Sequence, residues 1–168
     1  MTSMIKRKRW AEYKGKTVVL EWNNPECPFV KKHYGTGNMQ TLQKYAMDKG
    51  VVWLAINSGA PGKQGHLTPE TAKTVLAEVK STPTAYILDP EGKLGRLYGA
   101  KSTPHMFVID KAGVVAYAGA IDDKPTYNPE DVPGAENYVK AAVDALAAGQ
   151  QPVKTHATAY GCGVKYAD

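Results

Sequence analysis

YKGKTVVLEWNNPECPFVKKHY, residues 13–34, decides how the chain folds. Val18-Val19-Leu20-Glu21-Trp22 is an apolar run rich in β-branched residues and predicts a buried strand over 17–22. PFVKKHY opens with a proline, which suits the first turn of a helix, and predicts a helix over 28–34. Cys27 then stands at the strand-to-helix junction. Unpaired backbone N–H groups and the positive end of the helix dipole favour a thiolate there, so Cys27 is the candidate nucleophile.

The chain has one other cysteine, Cys162, in the tail YGCGVKY. Extended, the stretch from Gln150 to Cys162 spans about 40 Å, long enough to cross a small domain. Spacing does not fix what the pair does. A redox pair, a static disulfide and two unconnected thiols all remain open.

Working outward, Gly35-Thr36-Gly37 interrupts the helix, and NMQTLQKYAMDK resumes it with Met39, Leu42, Tyr45 and Ala46 on one face and Gly50 as its stop. VVWLAIN at 51–57 is the next strand. The short connections predict a parallel, right-handed crossover. After the glycine-rich SGAPGKQGHL, Thr68 and Pro69 start a helix running to about Lys80. TAYIL at 84–88 is a strand, and a short helix ends at Tyr98 before Gly99. MFVID at 106–110 and VVAYA at 114–118 form a hairpin around Lys111-Ala112-Gly113. A long, proline-bearing loop covers 119–133, and Gly134 to Ala148 predicts the last helix.

The chain has 168 residues, 43% of them hydrophobic, enough for one domain with a real core without a disulfide scaffold. Twenty-one Lys and Arg against sixteen Asp and Glu give a net charge of +5. Outside Lys6-Arg7-Lys8-Arg9 the excess is diffuse, which argues against a nucleic-acid partner. Apolar stretches fall far short of the roughly 20 residues a membrane helix needs. The stretch after KRKRW lacks a signal peptide's apolar run. The compartment is periplasmic or extracellular if a signal was removed and cytoplasmic otherwise.

YKGKTVVLEW, the ECPFV junction, DPEGKLGRLYGAKSTPHMFVID and the KAG turn before VVAY resemble the thioredoxin superfamily, most closely its redoxin branch of alkyl hydroperoxide reductase/thiol-specific antioxidant proteins and exported thiol-disulfide oxidoreductases. The resemblance implies an α/β, three-layer fold with a central mixed sheet and flanking helices. It covers residues 14–148, with 1–13 as an N-terminal extension and 149–168 as a tail carrying Cys162. It also implies a cis bond at Thr103-Pro104 beside the nucleophile. An extended substrate would pair with Thr103 there, its sulfur facing Cys27. Thr103, Pro104 and Pro28 are the expected substrate-binding residues.

Two departures matter. Val30 stands where the Cys-X-X-Cys site has its second cysteine, so only Cys162 or an external thiol can resolve an intermediate on Cys27. Asn24 stands where a peroxiredoxin has Thr or Ser, which weakens the case for holding a peroxide. Glu21 matches the buried acid of thioredoxins, a base towards the thiol; as a strand residue it can equally face solvent. Glu26, Lys31 and Lys32 are expected to be solvated. The leading reading is a thiol-disulfide oxidoreductase with Cys27, Cys162 and Glu21 as catalytic residues, a disulfide-containing protein as substrate, an external thiol as reductant and no cofactor. A thiol peroxidase acting on peroxide is the alternative. A copper-binding module using Cys27, His33 and His105, or a partner-docking domain, is the other.

Overall fold

A computed structural model describes residues 10–168; the basic cluster Lys6–Arg9 lies outside them. A short 3-10 helix, Trp10–Tyr13, leads into β1 (Val18–Trp22). Helices α1 (Pro28–Gly35) and α2 (Asn38–Asp48) are separated by Gly37, whose φ of +77° suits glycine. The chain then forms β2 (Val52–Asn57), α3 (Pro69–Val79), β3 (Ala85–Leu88) and α4 (Lys93–Tyr98). Strands β4 (Ser102–Thr103), β5 (His105–Ile109) and β6 (Val115–Gly119), then α5 (Tyr138–Ala147), β7 (His156–Ala157) and β8 (Cys162–Gly163), complete it. Among the described residues no helix is long and apolar enough to cross a membrane.

A six-stranded mixed sheet, in the order β3-β2-β1-β5-β6-β7, forms the middle layer. β1 is central, parallel to β2 and antiparallel to β5. Its five residues are all buried because helices cover both faces of the sheet. Val19, Trp53, Met106 and Val108 pack with Val30, Tyr34, Leu42, Val139 and Val143 from α1, α2 and α5. Leu20, Trp22, Leu54, Ile56 and Phe107 form the opposite core with Tyr13, Leu94 and Tyr98. Truncating a fully buried ring such as Trp22 to alanine would cost about 3–5 kcal/mol.

Local chemistry sets the boundaries. Thr68 and Thr71 form a reciprocal capping box at the start of α3. Asp110 shapes the hairpin turn by accepting from the N–H groups of Ala112 (2.9 Å) and Val114 (3.0 Å). The last helix begins at Tyr138 rather than Gly134, because Asn137 caps it by accepting from the Lys140 N–H at 2.9 Å.

The tail holds the main difference from the sequence reading. It contains two short strands that no periodicity announced. β7 adds to the sheet edge parallel to β6, and β8 pairs antiparallel with β4. Residues 156–163 thereby cross the end of the sheet at which Cys27 lies.

Candidate thiol site

Cys27 is the N-cap residue of α1: its carbonyl accepts from the Lys31 N–H at 2.9 Å, and its own N–H donates to the Asn24 carbonyl at 3.1 Å. Pro28 takes the first helical position, where its missing N–H costs nothing, and lies exposed. The Cys27 side chain is 0% exposed. Its sulfur lies 3.2 Å from the Thr103 carbonyl oxygen and 2.7 Å from the sulfur of Cys162. The two cysteines are free thiols, and about 2.05 Å would be a bonded distance. The Thr103-Pro104 peptide bond is cis.

β8 explains the closeness of the sulfurs. Cys162 is the register partner of Thr103, and Gly163 of Ser102. The tail therefore lies where an extended substrate was expected to pair with Thr103. Burial opposes ionisation of Cys27, but hydrogen bonding to its sulfur from the Cys162 side chain and from the Val30 and Cys162 backbone outweighs it and holds the thiol below its ordinary value. Burial and the neighbouring Cys27 push Cys162 up to about 11. The asymmetry makes Cys27 the more acidic thiol of the pair.

Glu21 is 0% exposed and projects from β1 among the buried side chains next to α1. One carboxylate oxygen accepts from Asn23 (2.9 Å) and the Tyr34 hydroxyl (2.5 Å); the other accepts from the Trp53 indole (2.9 Å) and Gln43 (3.4 Å). Desolvation still outweighs these donors and raises its pKa. A cavity of about 180 Å³, lined by Val30, Tyr34, Leu76, Val79 and Tyr86, opens beside α1, and Cys27 does not line it.

The expectation that Lys31 and Lys32 are both solvated fails for Lys32, which is 2% exposed. The loop after β6 folds over it: its ammonium donates to the carbonyls of Lys124 (2.9 Å) and Thr126 (2.8 Å) and to the Tyr160 hydroxyl (3.3 Å). Lys31 and Glu26 are exposed, although Glu26 also accepts from the Gly65 N–H at 2.7 Å. Asn24 accepts from the Glu26 N–H (2.9 Å) and donates to Gln64 (3.3 Å), so both ends of its amide are engaged.

The two histidines weighed as metal ligands are otherwise occupied. His33 is 0% exposed, with Nε2 3.2 Å from the Tyr160 hydroxyl and Nδ1 2.8 Å from the Asn38 amide nitrogen. His105 stacks on Phe107 at 4.7 Å, in the core opposite the one holding Cys27, and its Nδ1 accepts from the Lys101 N–H at 3.1 Å. Desolvation lowers His33 to about 3 and His105 to about 4, so both are neutral. Among the described residues, no group of three His, Cys, Asp or Glu side chains converges as metal ligands would. The structure therefore does not gather Cys27, His33 and His105 into one donor set. Tyr160 and Asp122, joined to this network, carried no signal in the sequence.

Compared with known proteins, residues 1–139 match the model of the redoxin family. No curated protein matches the chain. Among solved structures, an uncharacterized conserved protein from Geobacillus kaustophilus superposes with a TM-score of 0.76 at 25% identity, covering 92% of this chain and 79% of that one. A putative thiol:disulfide interchange protein DsbE from Chlorobium tepidum is 28% identical over 63% of this chain and 68% of its own, with a TM-score of 0.51. A thioredoxin-like protein solved in its oxidized form shares 15% identity and a TM-score of 0.62 over 87% of each chain, a likeness of fold.

Proposed function

The chain belongs to the redoxin family, and we propose that within it the protein is a thiol-disulfide oxidoreductase with Cys27 as nucleophile and Cys162 as resolving thiol. The observation that carries this reading is the placement of Cys162: paired with Thr103, it brings its sulfur to 2.7 Å from that of Cys27.

In the reaction, the Cys27 thiolate attacks one sulfur of a substrate disulfide, forms a mixed disulfide and releases the other sulfur as a thiolate. Cys162, deprotonated as it approaches, attacks the Cys27 sulfur, closes the internal bridge and releases the second substrate thiolate. The substrate disulfide gains two electrons and the protein dithiol loses them. An external dithiol then reduces the bridge. One of its thiolates attacks the partly exposed Cys162 sulfur and Cys27, the lower-pKa thiol, leaves; the reductant's second sulfur then attacks the first, closing its own disulfide and releasing Cys162. Glu21 is assigned the role of taking or returning a proton as the thiols exchange; its hydrogen-bond partners are Asn23, Tyr34, Trp53 and Gln43, and neither thiol is among them. Thr103, Pro104 and Pro28 border the edge at which the substrate docks.

Disulfide exchange is favoured over peroxide reduction because Asn24 stands where a peroxiredoxin has a hydroxyl, and its amide oxygen and one of its amide N–H groups are already bound to Glu26 and Gln64. The test is turnover of a peptide disulfide with a dithiol reductant. Cys27→Ser should abolish it, and Cys162→Ser should accumulate a mixed disulfide on Cys27. Undiminished turnover in Cys27→Ser would remove the reading.

A further inference from the structure

We propose that Tyr160 is the positioning residue of the bridge-closing step: its hydroxyl, seated among Lys32, His33 and Asp122, latches the tail to α1 and so holds Cys162 against Cys27. The inference rests on the reading that Cys162 closes on Cys27, and adds the device that puts it there.

The hydroxyl donates to the Asp122 carboxylate at 2.6 Å and accepts from the Lys32 ammonium at 3.3 Å. The His33 tautomer follows from its other nitrogen. Nδ1 faces an amide N–H donor of Asn38, so Nε2 carries the proton and donates to the Tyr160 oxygen at 3.2 Å. One oxygen thus receives two donors and gives its proton to a carboxylate, which satisfies it completely. The ring packs edge-on against Phe29 at 5.8 Å and beneath the Lys32 ammonium at 5.3 Å.

The socket stands without its occupant. His33 keeps Asn38, Lys32 keeps the carbonyls of Lys124 and Thr126, and Asp122 keeps the Lys124 N–H at 3.0 Å. Each of the three is at least 98% buried. Two of them belong to α1, the helix that Cys27 caps, so Tyr160 and Cys27 are referenced to one rigid element. A single residue, Gly161, separates the latched hydroxyl's residue from Cys162. A phenylalanine would pack on Phe29 equally well, so the hydroxyl serves the docking and not the core.

Tyr160→Phe removes that oxygen alone. Equilibration with glutathione buffers of known ratio reads the effective concentration of Cys162 at Cys27. It should fall about tenfold to hundredfold, the range for a hydrogen bond to charged partners. A second measurement does not depend on the bridge. In the Cys162→Ser background, Tyr160→Phe should speed amide exchange at Val164, whose N–H donates to the Lys101 carbonyl, while the melting temperature barely moves. An unchanged effective concentration together with unchanged exchange overturns the latch. If the wild-type protein forms no bridge between Cys27 and Cys162 at any glutathione ratio, the exchange reading of the function falls; the latch is then judged by Val164 alone, faster exchange upholding it and unchanged exchange overturning it.

Discussion

Cys162 lies opposite Thr103 in an antiparallel ladder, so the chain's own tail occupies the strand edge beside the Cys27 thiol. One edge cannot pair with two strands. An extended polypeptide that docks at Thr103 must first displace β8, and the tail competes with every such substrate from within the molecule.

Ending the chain after Thr158 removes this competitor and keeps β7 on the sheet. Cys27 should then react with iodoacetamide at least about tenfold faster, because a site open only part of the time is slowed by the fraction of time it is closed. Quenched labelling with mass spectrometry reads the rate. Equal rates in the two chains would show that the tail does not shield the thiol.

Cys162 also lowers the pKa of Cys27 by hydrogen bonding to its sulfur. Cys162→Ala should therefore raise the midpoint of Cys27 ionisation towards the ordinary thiol value, followed through thiolate ultraviolet absorbance during a pH titration. In the reduced wild-type protein Cys27 ionises first as pH rises, and Cys162 follows only near 11. An unshifted midpoint in the variant would assign the activation to the helix N-terminus alone.

Glu21 carries the opposite sign. Its pKa is raised in the folded protein, so it contributes stability below its unfolded value, and that contribution is lost as pH rises through the folded value. Glu21→Gln turns one amide nitrogen against donors that now face oxygens, which should cost about 1–3 kcal/mol at acid pH. The gap should narrow as pH rises, because the wild-type protein must then bury a charge and the variant need not. Urea unfolding from acid to neutral pH measures it. A gap that widens with pH would mean that the four donors win over desolvation.

Much of this site was legible before the structure. The run 18–22 and Pro28 place Cys27 at a helix start from local chemistry alone, and Thr103-Pro104 follows from the family pattern. Glu21 was ambiguous because a strand covered on both faces shows no alternation. Lys32 looked solvated because its cover comes from a loop some ninety residues away. β8 is two residues long, too short for any period, and its partner is Thr103, far back in the chain. Tyr160 was invisible for the same reason: its meaning lies in Lys32, His33 and Asp122.

Gly161 gives the most selective test of the tail's docking. Its φ is +143°, a conformation side chains rarely adopt, and a Cβ there would overlap the Thr103 carbonyl oxygen and come within 2.8 Å of the carbonyl carbon. Those are backbone atoms of the edge strand and cannot swing aside. Gly161→Ala should therefore lift β8 off Thr103 while leaving Tyr160, both thiols and the core as they are. Bridge formation between Cys27 and Cys162 should weaken and Cys27 labelling should quicken, with little change in melting temperature. Non-reducing peptide mapping after mild oxidation reads the first, and iodoacetamide kinetics the second. A variant that bridges as readily as the wild type would mean that the sulfurs meet without the β4–β8 ladder, and the ladder would lose its role in delivering Cys162.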